Sequence, residues 1–121
     1  MTALEIGKQL VELCNQGKAD QCLETLYSRD VVSVEAGAPP GRNAETRGLP
    51  GVFEKTKWWS DNHEIHSSVA EGPWPHGDRF IVKFKFDVTN KPSGKRFTME
   101  EAGLYTVKDG KIVREEFFYT M

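Results

Sequence analysis

The sequence predicts an α+β fold in which helices come first and an antiparallel sheet follows. Three observations carry this. Apolar residues recur at helical spacing in the first half of the chain, beginning with Leu4, Ile6, Leu10 and Val11. Residues 80–88, Phe-Ile-Val-Lys-Phe-Lys-Phe-Asp-Val, alternate with period two. Asp109-Gly110 stands between two strand-like runs and is a strong signal for a two-residue type I′ hairpin. Helices followed by consecutive strands imply helices packed on one face of a sheet.

The elements follow in order. Leu4, Ile6, Leu10, Val11, Leu13 and Cys14 define a first helix that Gly17 stops. Asp20 can cap a short second helix carrying Cys22, Leu23 and Leu26, which completes a helical hairpin. Residues 31–35 are β-branched and short, a first strand. Residues 36–48, rich in Gly, Pro, Asn and Arg, read as a loop. A third helix begins near Leu49-Pro50, where the missing proline N–H costs little, and runs to about Asn62. Strands are expected over 65–71, 80–88, 97–107 and 111–119, with an irregular turn at 72–78 and a tighter one at 90–94. A sheet of this length with one covered face should curve around the helices and leave a pocket.

A chain of 121 residues has room for one domain, 1–121, and one core. Its 38% apolar and 28% charged content is that of an ordinary globular protein. A net charge of −2 without a Lys/Arg stripe argues against nucleic acid or an anionic membrane as partner. No basic leader or long apolar run is seen, so a cytoplasmic protein is expected. Cys14 and Cys22 form no CxxC motif and have no second pair to complete a zinc site, so they read as reduced thiols, one or both in the core. Gly37, Gly41 and Gly48 are too sparse for a phosphate loop, and no nucleotide fingerprint exists.

Strand register can be reasoned from the turns. With Asp109-Gly110 at the turn centre, Val107 faces Ile112, Tyr105 faces Arg114, Gly103 faces Glu116 and Glu101 faces Phe118. A four-residue loop at 91–94 pairs Val88 with Phe97, Phe86 with Met99, Phe84 with Glu101, Val82 with Gly103 and Phe80 with Tyr105. Opposed residues share a face. The pairings agree on a core face holding Phe80, Val82, Phe84, Phe86, Val88, Phe97, Met99, Tyr105, Val107, Ile112 and Phe118. The same face carries Glu101, Glu116 and Arg114. Carboxylates seldom sit in an apolar layer unpaired, and two close together push one pKa upward, which suits acid–base chemistry. The plainer reading is a structural Glu–Arg cluster. The opposite face, with Ile81, Ala102, Leu104, Val113, Phe117 and Tyr119 beside Lys83, Lys85, Glu100 and Glu115, is too apolar for solvent and reads as a homodimer interface. Lys85 opposite Glu100 is expected as an exposed pair.

The order of elements and several motifs resemble the SnoaL-like proteins of the ketosteroid isomerase and nuclear transport factor 2 superfamily. The matching pieces are Asn15-Gln16-Gly17-Lys18, Leu26-Tyr27-Ser28-Arg29-Asp30-Val31-Val32 and Val107-Lys108-Asp109-Gly110-Lys111-Ile112-Val113. The resemblance implies a cone-shaped fold with a cavity between sheet and helices, dimerisation through the sheet, and activities ranging from isomerase, cyclase, dehydratase and hydrolase to none. It places Glu35 where the isomerases carry a general-base Asp, and Glu101 near their second oxyanion acid. Their oxyanion Tyr falls at about Leu10, so that donor is missing here.

Other candidates are weaker. His63, by parity with Ile65 and Val69, points inward near the pocket mouth, as a ligand-binding group or a hydrogen-bonded rim histidine. A metal site from His63, His66, His76 and Glu35 would need three segments to converge. Helical spacing turns Trp59 inward with Leu49, Val52 and Thr56, as core or as an aromatic wall, and Trp58 outward. Trp74 reads as a rim or dimer contact, and the 36–48 loop as a possible lid. The expected function is a cofactor-free isomerase, cyclase, dehydratase or hydrolase acting on a small hydrophobic molecule. Glu35, Glu101 and Glu116 would transfer protons, while Trp59, His63, Phe84, Tyr105, Arg114 and Phe118 hold the substrate. The alternatives are a non-catalytic ligand-binding homodimer and, last, a protein-interaction module.

Overall fold

The computed structural model describes residues 1–38, 40–41 and 43–120. Among these, three helices precede or interrupt six strands: α1 Ala3–Asn15, α2 Ala19–Leu26, β1 Tyr27–Val34, β2 Glu45–Arg47, α3 Leu49–Asn62, β3 His63–His76, β4 Arg79–Asn90, β5 Lys95–Lys108 and β6 Lys111–Phe118. The strands form one curved sheet in the order β2-β1-β6-β5-β4-β3. β1 runs parallel to β6, and the other neighbours are antiparallel.

α1 starts at a capping box. The Thr2 hydroxyl accepts from the Glu5 N–H, and the Glu5 carboxylate accepts from the Thr2 N–H. Gly17, at φ 72°, ends the helix in the left-handed region. The buried face of α1, Ala3, Ile6, Gly7 and Leu10, lies on the sheet. The side-chain amide of Asn15 bonds both the N–H and the carbonyl of Ala70 on β3, at 2.7 and 3.0 Å, and so ties the helix end to the edge strand. Asp20 lies in the first turn of α2, whose N-cap is Lys18 without a side-chain bond, so the expected Asp20 cap is not formed. α3 matches its expected bounds and buries Val52. The core joins these helices to Val31, Phe80, Val82, Phe84, Tyr105, Val107 and Ile112.

The β4–β5 register is the one read from the sequence at every expected pair, from Phe80–Tyr105 to Val88–Phe97. The expected Lys85–Glu100 ion pair is not formed: Lys83 meets Glu100 diagonally at 3.7 Å, and Lys85 turns to Glu71 on β3 at 3.3 Å. The Asp109-Gly110 turn also stands, with φ 52° and 74° at its two centres, as type I′ demands. Past that turn the register departs from expectation. Val107 faces Ile112, but Thr106 faces Arg114, so Val113 is an extra residue in β6. This β-bulge shifts the rest of β6 by one and reverses its faces.

Two further departures have physical causes. β2 falls in the expected 36–48 loop because its backbone pairs with Val32–Val34 of β1, a non-local contact with no periodic signature in three residues. Positions 39 and 42 of that loop lie outside the described residues. β3 continues through the expected 72–78 turn, and the chain reverses only at Gly77-Asp78, between His76 and Arg79. Pro73 and Pro75 are tolerated because β3 is an edge strand.

α1 crosses β3 closely at Gly7. A Cβ there would lie 2.8 and 2.9 Å from the rigid Pro73 ring and 3.1 Å from Phe80. In an open helix, Gly→Ala gains roughly 0.5–1 kcal/mol. Here Gly7→Ala is expected to destabilise by about 1–3 kcal/mol through overpacking, a lowered urea midpoint being the measurement.

Candidate active site

The bulge at Val113 decides which side chains of β6 enter the cone. Glu115 faces Tyr105 on the core side, whereas Glu116 faces Leu104, beside the exposed Ile81. The expectation that Glu116, Arg114 and Phe118 point inward is therefore corrected. Glu116 accepts from Arg114 Nε at 2.9 Å on the outer face, and Phe118 is exposed there. Glu115 and Phe117, expected outside, are inside. The turn chemistry that locates the hairpin carries no sign of a bulge three residues on.

Glu115 is buried at 3% exposure. It accepts from the Tyr27 hydroxyl at 2.5 Å and from Ser33 Oγ at 2.8 Å. Burial pushes its pKa up, and the two hydroxyl donors pull against that. Ser33 Oγ in turn accepts from Lys55 Nζ on α3 at 2.5 Å. The same ammonium lies 2.7 Å from Glu35 Oε1, and Glu35 Oε2 accepts from the Tyr119 hydroxyl at 2.9 Å. Burial and then the Glu35 charge hold the Tyr119 phenol up. The chain Tyr27–Glu115–Ser33–Lys55–Glu35–Tyr119 thus links β1, β6, α3 and the C-terminal segment. Glu35 and Lys55 side chains are 33% and 24% exposed, so this chain ends at solvent.

Glu101 faces Phe84 across β4–β5, as expected, and is half-buried. Burial first, then the charges of Glu35 and Glu115, raise its pKa to about 7, with Lys55 opposing. Among the described residues, no hydrogen bond offsets the burial. Two residues on, Gly103 leaves room for the Tyr105 ring, since a Cβ there would lie 2.8 Å from the ring and 3.2 Å from the hydroxyl. Tyr105 is 2% exposed and stacks on Phe80 at 5.0 Å. Phe117 meets Tyr105 edge-on and lies 5.5 Å below the Lys55 ammonium. Phe84 stacks on Phe86.

His63 is inward as expected, but Val69 is not: a register shift between Ile65 and Ser67 turns Val69 outward, opposite Lys85. The His63 ring is committed. Nδ1 donates to the Trp59 carbonyl at 2.9 Å, Asn90 lies 3.5 Å from Nε2, and the ring stacks on Trp59 at 3.8 Å. Trp59 is half-buried against Phe86, and Trp58 is exposed. His63 and Trp59 thus form a packed unit at the end of α3, apart from the carboxylate chain. His66 bonds Thr89, and His63, His66, His76 and Glu35 do not gather among the described residues.

Sequence reading missed Tyr27, Ser33, Lys55, Glu115 and Tyr119. Lys55 had a usable signal: it sits three residues after Val52 and four before Trp59, on the inward side of α3. Two open depressions also lie among the described residues. One of about 820 Å³ runs over the outer face, touching Val69, Lys85, Glu100 and Tyr119. Another of about 550 Å³ lies between Arg29, Asp30 and the start of α3. Neither takes in Glu101.

The fold and this interior define a SnoaL-like protein. The model of the SnoaL-like domain family matches residues 1–119, and the chain belongs to that family. A crystal structure from Mesorhizobium loti is 45% identical over 98% of this chain and 100% of that one, with a TM-score of 0.92; it carries the provisional name SnoaL-like polyketide cyclase, with carbohydrate phosphatase in brackets. An NTF2-like protein from Burkholderia thailandensis (16% identity, TM-score 0.84, 99% and 92% of the two chains) shares the fold. So does a cystatin-like protein from Xanthomonas campestris (20% identity, TM-score 0.80, 100% and 92%). No curated protein matches the chain.

A raised Glu101 pKa has a stability consequence. From the ordinary carboxylate range up to about 7, the unfolded chain ionises Glu101 while the folded one keeps the proton, so folding weakens as pH rises. Above that window the loss is constant; below it there is none. Glu101→Gln is expected to stabilise by about 1–3 kcal/mol at pH 8 and to be near neutral at pH 4, by urea denaturation at both pH values.

Proposed function

We propose that this protein is a cofactor-free acid–base enzyme acting on a small, uncharged, hydrophobic molecule, with Glu101 as the proton-transfer group. One observation carries the reading: Glu101 is a half-buried inward carboxyl with no hydrogen-bond donor among the described residues, and burial raises its pKa to about 7. Both oxygens of Glu35 are occupied, by Lys55 and Tyr119, which favours an orienting and electrostatic part over a free base. Glu115 is enclosed by Tyr27 and Ser33, which favours a structural part. Phe84, Phe117 and Tyr105 supply an apolar wall, and Glu116, Arg114 and Phe118 drop out of the interior set.

The provisional name of the Mesorhizobium loti protein supports a reaction of the cyclase type, which begins by moving a proton at carbon. The bracketed phosphatase name fits less well. The ammonium of Lys55 is already paired with Glu35 at 2.7 Å, which leaves it a poor partner for a phosphate ester. The alternative, a non-catalytic binder, uses the same interior with Glu101 as a passive carboxyl.

Side-chain carboxyl NMR, assigned with Glu101→Gln, is expected to show Glu101 titrating near 7. Deuterium exchange at the carbon beside the carbonyl of a tetralone should be accelerated by the native protein. Glu101→Gln should lose roughly 100-fold or more of that rate. An ordinary carboxylate titration at Glu101, or an unchanged rate in the variant, would remove the acid–base proposal and leave the binder.

The assembly proposed is a homodimer through the outer sheet face. Val69, Ile81 and Phe118 are 45%, 42% and 54% exposed there, beside Leu104. Sedimentation at micromolar concentration is expected to give a dimer that Ile81→Glu converts to monomer. A native monomer would contradict the interface.

A further inference from the structure

Two nucleophilic side chains lie outside the carboxylate chain and take no part in the proposed chemistry. Cys14 is in the last turn of α1 and Cys22 is in α2; both are free. In the helical ladder, the Leu10 carbonyl accepts the N–H of Cys14. The same carbonyl oxygen is 3.9 Å from Cys22 Sγ. Cys22 therefore rests against the turn that carries Cys14, and each thiol shifts the pKa of the other.

We propose that Cys14 and Cys22 are a redox-active thiol pair, a modification site that closes to an intramolecular disulfide by exchange with small disulfides. Their unequal burial orders the steps. Cys14 is half-buried and Cys22 is 3% exposed, so Cys14 meets the reagent. Its thiolate attacks one sulfur of R–S–S–R, the S–S bond breaks, and one thiolate RS⁻ leaves with a mixed disulfide on Cys14. Cys22, after losing its proton, attacks the Cys14 sulfur and expels the second RS⁻. The net change is two protein thiols and one small disulfide to one protein disulfide and two small thiols. Interaction with Cys22 also draws the Cys14 thiol down, while interaction with Cys14 and then burial hold Cys22 up, which reinforces the same order.

The bond would lock α1 to α2 across the Gly17 turn. It would also act near the carboxylate chain, because the Glu115 charge is felt by both sulfurs. This pair is independent of the acid–base reading: it stands or falls whether or not Glu101 is catalytic.

The test is exposure of the reduced native protein to oxidised glutathione at pH 8, followed by intact mass. The expected product has lost two hydrogen atoms, retains no glutathione, maps to a Cys14–Cys22 link, and returns to the dithiol with dithiothreitol. Cys22→Ser should stop at one glutathione on Cys14, and Cys14→Ser should stay unmodified. The idea is overturned by native protein that accumulates glutathione adducts without closing, or by thiols that stay unreacted until denaturant is added. The native protein alone decides the question, so a variant that fails to fold does not alter the outcome.

Discussion

The interior of this protein is organised around a carboxylate that should not be easy to bury. Removing Glu115 from water costs several kcal/mol on its own, and the fold answers with two hydroxyl donors, Tyr27 and Ser33, both on β1. That arrangement does more than neutralise a penalty. It fastens the parallel β1–β6 pair from the inside, and through Ser33 it fixes the ammonium of Lys55 on α3. Lys55 then fixes Glu35, and Glu35 fixes Tyr119. Loss of any one member would strand a polar group in a poorly hydrated place, so the chain behaves as one unit.

Three carboxylates of similar intrinsic acidity are thereby given different characters by their partners. Glu115 has two donors and no solvent; Glu35 has two donors and partial solvent. Glu101 has burial and two like-charged neighbours but no donor among the described residues, so its pKa rises to about 7. The separation of roles comes from hydrogen-bond supply rather than from residue type. The proposed acid–base chemistry is assigned to Glu101 for this reason: a carboxyl stabilised by fixed donors has little drive to exchange a proton with a substrate.

Much of this was legible in the sequence wherever the signal was local. The type I′ turn is written in Asp109-Gly110, the 91–94 loop length sets the β4–β5 register, and the inward side of Glu101 and Tyr105 follows from those two facts. Helix α3 is marked at its start by Leu49-Pro50. What was not legible is non-local. β2 exists only because β1 offers it an edge. The extra residue at Val113 leaves no mark in the hydrophobic pattern, because Glu115, Phe117 and Tyr119 alternate as well with one parity as Arg114, Glu116 and Phe118 do with the other. Both sets mix aromatic and charged residues, so period two cannot choose between them. The choice lies in partners on β1 and α3, which the pairing arithmetic of a single hairpin does not see.

The bulge can be judged by comparing the two registers it separates. Without it, β6 would send Arg114, Glu116 and Phe118 inward. The interior would then hold an Arg–Glu pair that satisfies itself, and Tyr27 and Ser33 would lose Glu115 as their acceptor. With it, Glu115 meets both hydroxyls and Phe117 joins the wall beside Tyr105. Tyr119 reaches Glu35, and the self-sufficient Arg114–Glu116 pair goes to the outer face, where its ions remain hydrated. Phe118 goes out with them and extends the apolar surface around Ile81 and Val69. One inserted residue therefore sorts the strand into a polar-satisfied interior and a more apolar outer face, the re-aiming of side chains that β-bulges provide. The geometry of the candidate site rests on Val113, a residue whose own side chain takes no part in it.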